Sequence, residues 1–134
     1  MTAALDLIFV YGTLMRRFDH PMSKLLSRSA EFLGEGRCPG RLYMIAHYPG
    51  LLRAAAPGDV VSGELYRMHD PAALLAELDE YESCGPNFDP PTLYLRETLP
   101  VTLADGSVHE AWTYIYNRPV EEAKRIASGR FLEK

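Results

Sequence analysis

Cysteine is scarce in this chain. Cys38 and Cys84 are the two cysteines among 134 residues, and they are too far apart in sequence to form a CxxC pair. Small domains held together by disulfides carry several paired cysteines. We therefore expect a fold that depends on its hydrophobic core and a reducing environment, and we predict a cytoplasmic protein.

Long hydrophobic runs are missing as well. The apolar run nearest the N-terminus covers residues 5–10, is interrupted by Asp6 and has no basic residue before it. A transmembrane helix needs about 20 apolar residues, and a secretory signal begins with a positively charged region. We expect neither a membrane span nor a signal peptide.

An excess of positive charge is also absent. The chain has 14 lysines and arginines against 18 acidic residues, a formal charge of −4, and the basic residues are scattered. Because nucleic-acid-binding proteins present a basic patch, we predict no nucleic-acid partner. The histidines lack the HxH and HxxxH spacings typical of metal sites, so we expect no metal; they stand at positions 20, 47, 69 and 109.

The patterning that is present indicates a single domain, residues 1–134, without linkers or repeats. Strand-like segments occupy residues 7–10, 31–37, 41–47 and 60–68, and a hairpin is predicted where "LYLRETLPVTL" and "VHEAWTYIYN" flank a tight turn at Asp105-Gly106. Helices are predicted over 21–32 and 71–82, the second with Asp70 as N-cap and Pro71 in the first turn. Many strands with two or three short helices predict an α+β domain with an antiparallel or mixed sheet, which could close into a barrel.

A glycine follows the first predicted strand, in "VYGTL". Gly12 interrupts an apolar run, and two interpretations of it are open. Glycine at a strand end can serve only to bend or bulge the backbone. Alternatively, the backbone amides around Tyr11, Gly12, Thr13 and Leu14 can form a cradle for an anion or a carbonyl oxygen.

The second predicted helix places one acidic side chain on its apolar face. At about 100° per residue, Glu82 falls among the leucines of "AALLAELDEYE", whereas Glu80 and Glu77 fall on the opposite side or at its margin. A carboxylate that loses hydration favours its protonated form and becomes suited to proton transfer. The alternative is that the helix ends before residue 82 and that Glu82 is solvated in the following turn.

Four motifs stand in one order along the chain: "VYGTL" at 10–14, "LDEYE" at 78–82, "LYLRE" at 93–97 and "AWTYIYN" at 111–117. In this set the sequence resembles the γ-glutamylcyclotransferase-like family, from about residue 9 to residue 117. The segment "RIASGRF" looks like a degraded form of the closing segment of that family. Two departures are Ser83, where many members have glycine, and Arg130-Phe131, which replaces an acidic-aromatic ending.

The resemblance implies a small mixed-sheet β-barrel with helices at its side. It also implies a substrate loop at residues 11–14, a single acid/base glutamate at Glu82, and the cyclisation of a γ-glutamyl amine or amino acid to 5-oxoproline with release of the amine. No metal or organic cofactor is required for this reaction. The partner would be a small γ-glutamyl compound; the motifs specify neither the leaving amine nor the oligomeric state.

Two tyrosines and one arginine are further candidates for contact with a substrate. Tyr94 and Tyr116 could donate hydroxyl groups, although strand aromatics usually pack in the core. Arg96 could pair with a substrate carboxylate, although exposed strand arginines are common. The turn-rich loop "SCGPNFDPP" at 83–91 is expected to border the pocket.

Two other functions remain open. Cys84 could act as a nucleophile with His109 or His69 as its base, although the chain has no further hydrolase motif. The second alternative is a non-catalytic small-molecule-binding domain on the same fold. Retention of both the 11–14 segment and Glu82 favours the enzyme.

Overall fold

The computed structural model describes residues 6–12, 15, 21–44, 49–54, 56, 58–81, 94–117 and 124–126. In these ranges the chain forms two helices and eight strands. Their order is β1 (Leu7–Val10), α1 (Pro21–Ser29), β2 (Ala30–Pro39), β3 (Arg41–Met44), β4 (Pro49–Leu52), β5 (Val60–Met68), α2 (Pro71–Tyr81), β6 (Tyr94–Leu103), β7 (Val108–Tyr116) and β8 (Lys124–Arg125). The predicted α+β class is confirmed.

Five of the strands close into a barrel in the order β1-β5-β2-β6-β7. The seam is the contact of β1 with β7, where Ile8 pairs with Trp112 in parallel, while β1 runs antiparallel to β5. The remaining ladders of the barrel are antiparallel. A second sheet has the order β4-β3-β8. The predicted small mixed-sheet barrel with flanking helices is therefore confirmed.

Strand β1 is buried on both of its faces. Because side chains alternate along a strand, Ile8 and Val10 join one hydrophobic cluster and Leu7 and Phe9 join another. The first cluster lies against the helices and includes Leu26, Leu74, Leu75 and Leu78. The second combines residues from all five barrel strands with Leu42 and Leu51 of the smaller sheet.

Helix α2 begins as the sequence predicts. The Asp70 carboxylate accepts a hydrogen bond from the Ala73 amide at 3.3 Å, and the Asp70 carbonyl accepts one from the Leu74 amide at 3.0 Å. This is the N-cap arrangement, with Pro71 as the first helical residue. The apolar face of the helix is buried, and Glu77 and Glu80 are exposed, as the periodicity predicts.

The turn between β6 and β7 is also as predicted. The Gly106 amide donates to the Leu103 carbonyl at 2.9 Å, and Gly106 has a φ of +87°, in the region that favours glycine. The Asp105 carboxylate accepts bonds from the Ser107 hydroxyl at 2.6 Å and the Ser107 amide at 2.9 Å. These bonds, the hydroxyl first, lower the pKa of Asp105.

Two features of the fold differ from the prediction. Helix α1 ends at Ser29, not near residue 32, because Ala30 begins β2 and pairs with Met68 of β5. The strand β4, which starts with Pro49 and Gly50, was not predicted, and neither was the two-residue β8. Both short strands form by pairing with β3, a contact that local sequence does not encode. Neither described helix is long and apolar enough to cross a membrane.

Candidate active site

The end of β1 leads into a short turn. Tyr11 and Gly12 follow the strand and are both buried, and the Met15 amide donates to the Gly12 carbonyl at 3.0 Å. Thr13 and Leu14, the other residues of the predicted cradle, lie outside the described residues. The turn follows the end of β1 between the two hydrophobic clusters, because Met15 belongs to the first and Tyr11 to the second.

Gly12 is packed against a proline from the smaller sheet. A Cβ added at residue 12 would lie 2.6 Å from Cγ and 3.0 Å from Cδ of Pro49, and the φ of Gly12 is outside the left-handed region. Both distances are shorter than carbon atoms tolerate in contact. The proline ring alone therefore requires glycine here, which supports the structural interpretation; the approach of a ligand stays a prediction.

The Tyr11 hydroxyl connects the end of β1 to β7 and to β4. It donates to the backbone carbonyl of Tyr114 in β7 at 2.7 Å and accepts from the Leu51 amide in β4 at 3.2 Å. Both bonds are buried, so the hydroxyl fixes the position of the turn. The predicted contact of Tyr11 with a ligand would accordingly be made through its backbone.

Tyr94 and Tyr116 are direct partners across the β6–β7 ladder. Their rings meet edge to face, with centroids 5.5 Å apart. The Tyr94 hydroxyl donates to the Pro49 carbonyl at 2.7 Å, while Tyr116 is half-buried. Because a phenol has a single proton to donate, Tyr94 supports Pro49 here, and its donation to a substrate does not agree with this geometry. Substrate contact stays a prediction for both tyrosines.

A cluster that the sequence did not predict lies at the last turns of α2. Asp79 accepts bonds from Arg96 Nε at 2.8 Å and Arg96 Nη2 at 3.0 Å, and from the Tyr114 hydroxyl at 2.6 Å. The Arg96 guanidinium also stacks over the Trp112 ring, 4.5 Å from its centroid. Two N–H groups of Arg96 are thus engaged within the protein, which argues against the suggestion that Arg96 binds a substrate carboxylate.

The predicted acid/base residue follows this cluster in sequence. Helix α2 is described to Tyr81, and Glu82 is the next residue, outside the described residues. Leu74, Leu75 and Leu78 are buried on the face to which the periodicity assigns Glu82. The inward orientation of Glu82 stays a prediction.

A second buried carboxylate was not singled out in the sequence. Glu64 of β5 is 5 % exposed, pairs with Val10 at the end of β1, and accepts a bond from the Tyr66 hydroxyl at 3.0 Å. The signal was present as an acidic residue inside the apolar segment "VVSGELYRM". Its strand partner, Val10, is two residues before Gly12 in the chain.

The described residues provide no support for the alternative in which a cysteine is the nucleophile. Burial raises the pKa of the Cys38 thiol to about 12, so it is protonated and unreactive at neutral pH. His109 belongs to the β6–β7 hairpin, with its Nε2 2.9 Å from the Ser107 hydroxyl, and Cys84 lies outside the described residues. Among the residues placed by the structure, no three His, Cys, Asp or Glu side chains come together as a metal site.

Comparison with known proteins decides the family. A model of the family described as "Gamma-glutamyl cyclotransferase, AIG2-like" matches residues 8–133, nearly the whole chain. The chain belongs to this family. The γ-glutamylcyclotransferase resemblance carried by the four motifs is thereby confirmed.

Two curated relatives cover most of the chain. The "Gamma-glutamylcyclotransferase family protein YtfP" of Escherichia coli K12 is 37% identical over 131 residues, which is 95% of this chain and 96% of the relative. The "Gamma-L-glutamyl-butirosin B gamma-glutamyl cyclotransferase" of Niallia circulans is 35% identical over 116 residues, 83% of this chain and 67% of the relative.

Several solved structures share the architecture of this chain. The solution structure of ytfP from Escherichia coli has a TM-score of 0.65 at 34% identity, over 95% of this chain and 96% of that one. An AIG2-like protein from Mus musculus has a TM-score of 0.64 at 25% identity, over 98% of both chains. YkqA from Bacillus subtilis, with a TM-score of 0.71 at 22% identity, shows the fold alone; this chain spans 40% of its length.

Proposed function

We propose that this chain is a cyclotransferase that converts a γ-glutamyl amine or γ-glutamyl amino acid into 5-oxoproline and the free amine, with Glu82 as its acid/base. Family membership supports cyclotransferase chemistry on a small γ-glutamyl compound. One of the relatives carries that activity in its name, with a γ-glutamyl-butirosin as its substrate. The finer points, namely the reaction product and the role of Glu82, are our inference.

The proposed reaction is a transfer of an acyl group from one nitrogen to another within a single molecule. The α-nitrogen attacks the γ-carbonyl carbon, a C–N bond closes the five-membered ring, and the original amide C–N bond breaks. Counted from ammonium to ammonium, two protons leave the α-nitrogen and two arrive on the departing amine. A carboxylate that can reach both nitrogens serves first as base and then as acid, so the reaction needs no external reactant.

The observation that carries the proposal is the link between the end of β1 and the end of α2. Tyr114 accepts the Tyr11 hydroxyl bond on its backbone carbonyl and donates its own hydroxyl to Asp79. One residue of β7 thus connects the turn with the proposed cradle to the helix that leads into Glu82. A nucleophile and an electrophile in one substrate mainly need a folded conformer held between such groups.

Backbone amides of the 11–14 segment would hold the α-carboxylate or the developing oxyanion. Oriented N–H donors cost no reorganisation at the moment of reaction, which makes them effective for this purpose. Pro49 packs directly beside the turn at Gly12, and its carbonyl accepts the Tyr94 bond.

Incubation with a panel of γ-glutamyl amino acids and γ-glutamyl amines, with chromatographic detection of 5-oxoproline, tests the proposal. We expect formation of 5-oxoproline and stoichiometric release of the amine for at least one member of the panel. Binding of 5-oxoproline by calorimetry without turnover of any member would support the non-catalytic binding domain instead.

A further inference from the structure

The Asp79 cluster has a geometry that the proposed reaction does not itself require. Asp79 stands on α2 three residues before Glu82, one turn of the helix away. Its two carboxylate oxygens receive three hydrogen bonds, two from Arg96 in β6 and one from Tyr114 in β7. The helix is therefore attached to the barrel wall by a charged, multiply bonded group at the turn that leads into the proposed base.

The bonds are of the kind that fix orientation. Arg96 binds through two separate nitrogens to two separate oxygens, an arrangement that defines the plane of the carboxylate. Both side chains of the ion pair are mostly buried, with exposures of 24% for Arg96 and 20% for Asp79. Asp79 binds the edge of the guanidinium, and the Trp112 ring lies against its face. The arginine is therefore held by two different contacts.

Tyr114 extends this attachment to the other half of the site. Its side chain is buried in the first hydrophobic cluster, its hydroxyl binds Asp79, and its backbone carbonyl binds the Tyr11 hydroxyl. The chain Tyr11–Tyr114–Asp79 thus runs without a gap from the turn at Gly12 to the end of α2. These two bonds of Tyr114 are short, 2.7 Å and 2.6 Å.

We propose that Asp79, held by Arg96 and Tyr114, is a positioning residue that fixes the last turn of α2, and with it the Glu82 carboxylate, at a set distance from the Tyr11–Gly12 turn. The inference rests on the proposed function for its catalytic consequence. An acid/base that serves two nitrogens of one substrate tolerates little displacement, and misplacement by about 1 Å can cost about a hundredfold in rate. Substrate binding at the turn is made by other groups and should persist.

The test uses conservative variants of two residues in the cluster. Tyr114→Phe retains the buried ring and deletes only the hydroxyl, and Asp79→Asn retains the shape and deletes the charge. In each, kcat for 5-oxoproline formation should fall about tenfold or more while KM changes less than about threefold. Because both substitutions weaken the same hydrogen-bonded cluster, the double variant should lose less activity than the product of the two single losses predicts.

The matched control is Asp6→Asn. Asp6 pairs with Arg67 at the opposite end of β1, 3.4 Å between Oδ2 and Nε, so an aspartate–arginine pair is lost away from the site. Its kcat should equal that of the wild type. A merely structural role for Asp79 would lower the melting temperature of Tyr114→Phe and leave kcat per folded molecule unchanged, and that result would overturn the proposal.

Hydrogen exchange separates this inference from the proposed function. The backbone amides of residues 78–82 should exchange faster in Tyr114→Phe and Asp79→Asn than in the wild type and in Asp6→Asn. Unchanged exchange overturns the positioning role, whatever the activity. If the wild type makes no 5-oxoproline from any panel member, the proposed function fails, and faster exchange still supports the positioning of the helix end by Asp79.

Discussion

The ring of Pro49 occupies the space into which a side chain at Gly12 would project. A methyl group there would be 2.6 Å from Pro49 Cγ, and the proline is held in turn by the Tyr94 hydroxyl on its carbonyl. Gly12→Ala should therefore lower the free energy of unfolding by about 1–3 kcal/mol, the range for overpacking in a core. Chemical denaturation measures this loss.

The companion variant for this prediction is the double substitution Gly12→Ala with Pro49→Ala. Removal of the ring carbons should recover part of the stability that Gly12→Ala loses. A Gly12→Ala protein as stable as the wild type, but with weakened binding of 5-oxoproline, would instead favour the direct approach of a ligand to the backbone at this glycine.

Glu82→Gln should abolish turnover while the fold survives. The substitution keeps the shape of the side chain and removes the proton acceptor, which costs about 10² to 10⁴ in rate. An inward carboxylate is unfavourable to bury, so the melting temperature should be equal or higher. The control is Glu80→Gln, on the exposed face of the same helix, which should retain wild-type activity. Activity of Glu82→Gln within a few-fold of wild type would exclude Glu82 as the acid/base.

The 83–91 loop should influence which amine is released. It follows Glu82 directly in sequence and carries turn-forming residues at most positions. Replacement of Asn87 and Phe88 by glycine should change the order of preference among γ-glutamyl substrates more than it changes the melting temperature. If the order of preference does not change, the loop is not part of the amine side of the site.

A comparison of Gly106 with Gly58 tests the energetic cost of a positive φ, because both positions have room for a side chain. An added Cβ meets no atom within 4 Å at either position, but Gly106 has a φ of +87° and Gly58 is outside the left-handed region. Gly106→Ala should therefore cost about 1 kcal/mol. Gly58→Ala should be neutral or slightly stabilising in the same denaturation experiment. Equal effects at the two glycines would contradict the role assigned to φ.

Cys38 should make the protein less stable at alkaline pH. Burial raises the pKa of its thiol from 9.0 to about 12, so the unfolded chain loses this proton at a lower pH than the folded protein. The folded state then binds more protons, and the free energy of unfolding falls as the pH rises from about 9 to about 12. Cys38→Ala should show a shallower decline over this interval. In Cys84→Ser, which leaves Cys38 as the single thiol, thiol reagents should label the unfolded protein and spare the folded one.

The sequence predicted the elements that depend on local signals. Asp70 and Pro71 mark the start of α2, and Asp105 with Gly106 marks the hairpin, because caps and tight turns are decided within a few residues. Helix α1 was predicted too long, since the pairing of Ala30 with Met68 takes precedence over helical periodicity. Pro49 and Gly50 disfavour a strand locally, and β4 forms because β3 offers partners.

For the candidate site, too, the sequence showed local features but not the distant contacts that explain them. Glycine at residue 12 was visible in the sequence, but its reason, the ring of Pro49, lies in a distant segment. Asp79 was not singled out in the sequence, because helical periodicity gives the direction of a side chain but not the presence of Arg96 and Tyr114 on the facing strands. Such contacts depend on how the barrel closes, which no local pattern specifies.

The seam of the barrel also bears on how the chain folds during synthesis. Tyr11 and Tyr114, joined by a hydrogen bond, are 103 residues apart in sequence, and β1 pairs in parallel with β7. Loops of that length close slowly, and proteins dominated by such contacts fold in milliseconds to seconds. Strand β1 is synthesised before β7, so its edge toward β7 stays uncovered until the residues of β7 have been made. Until then the nascent chain exposes an unpaired strand edge, the kind of edge that can pair with another chain.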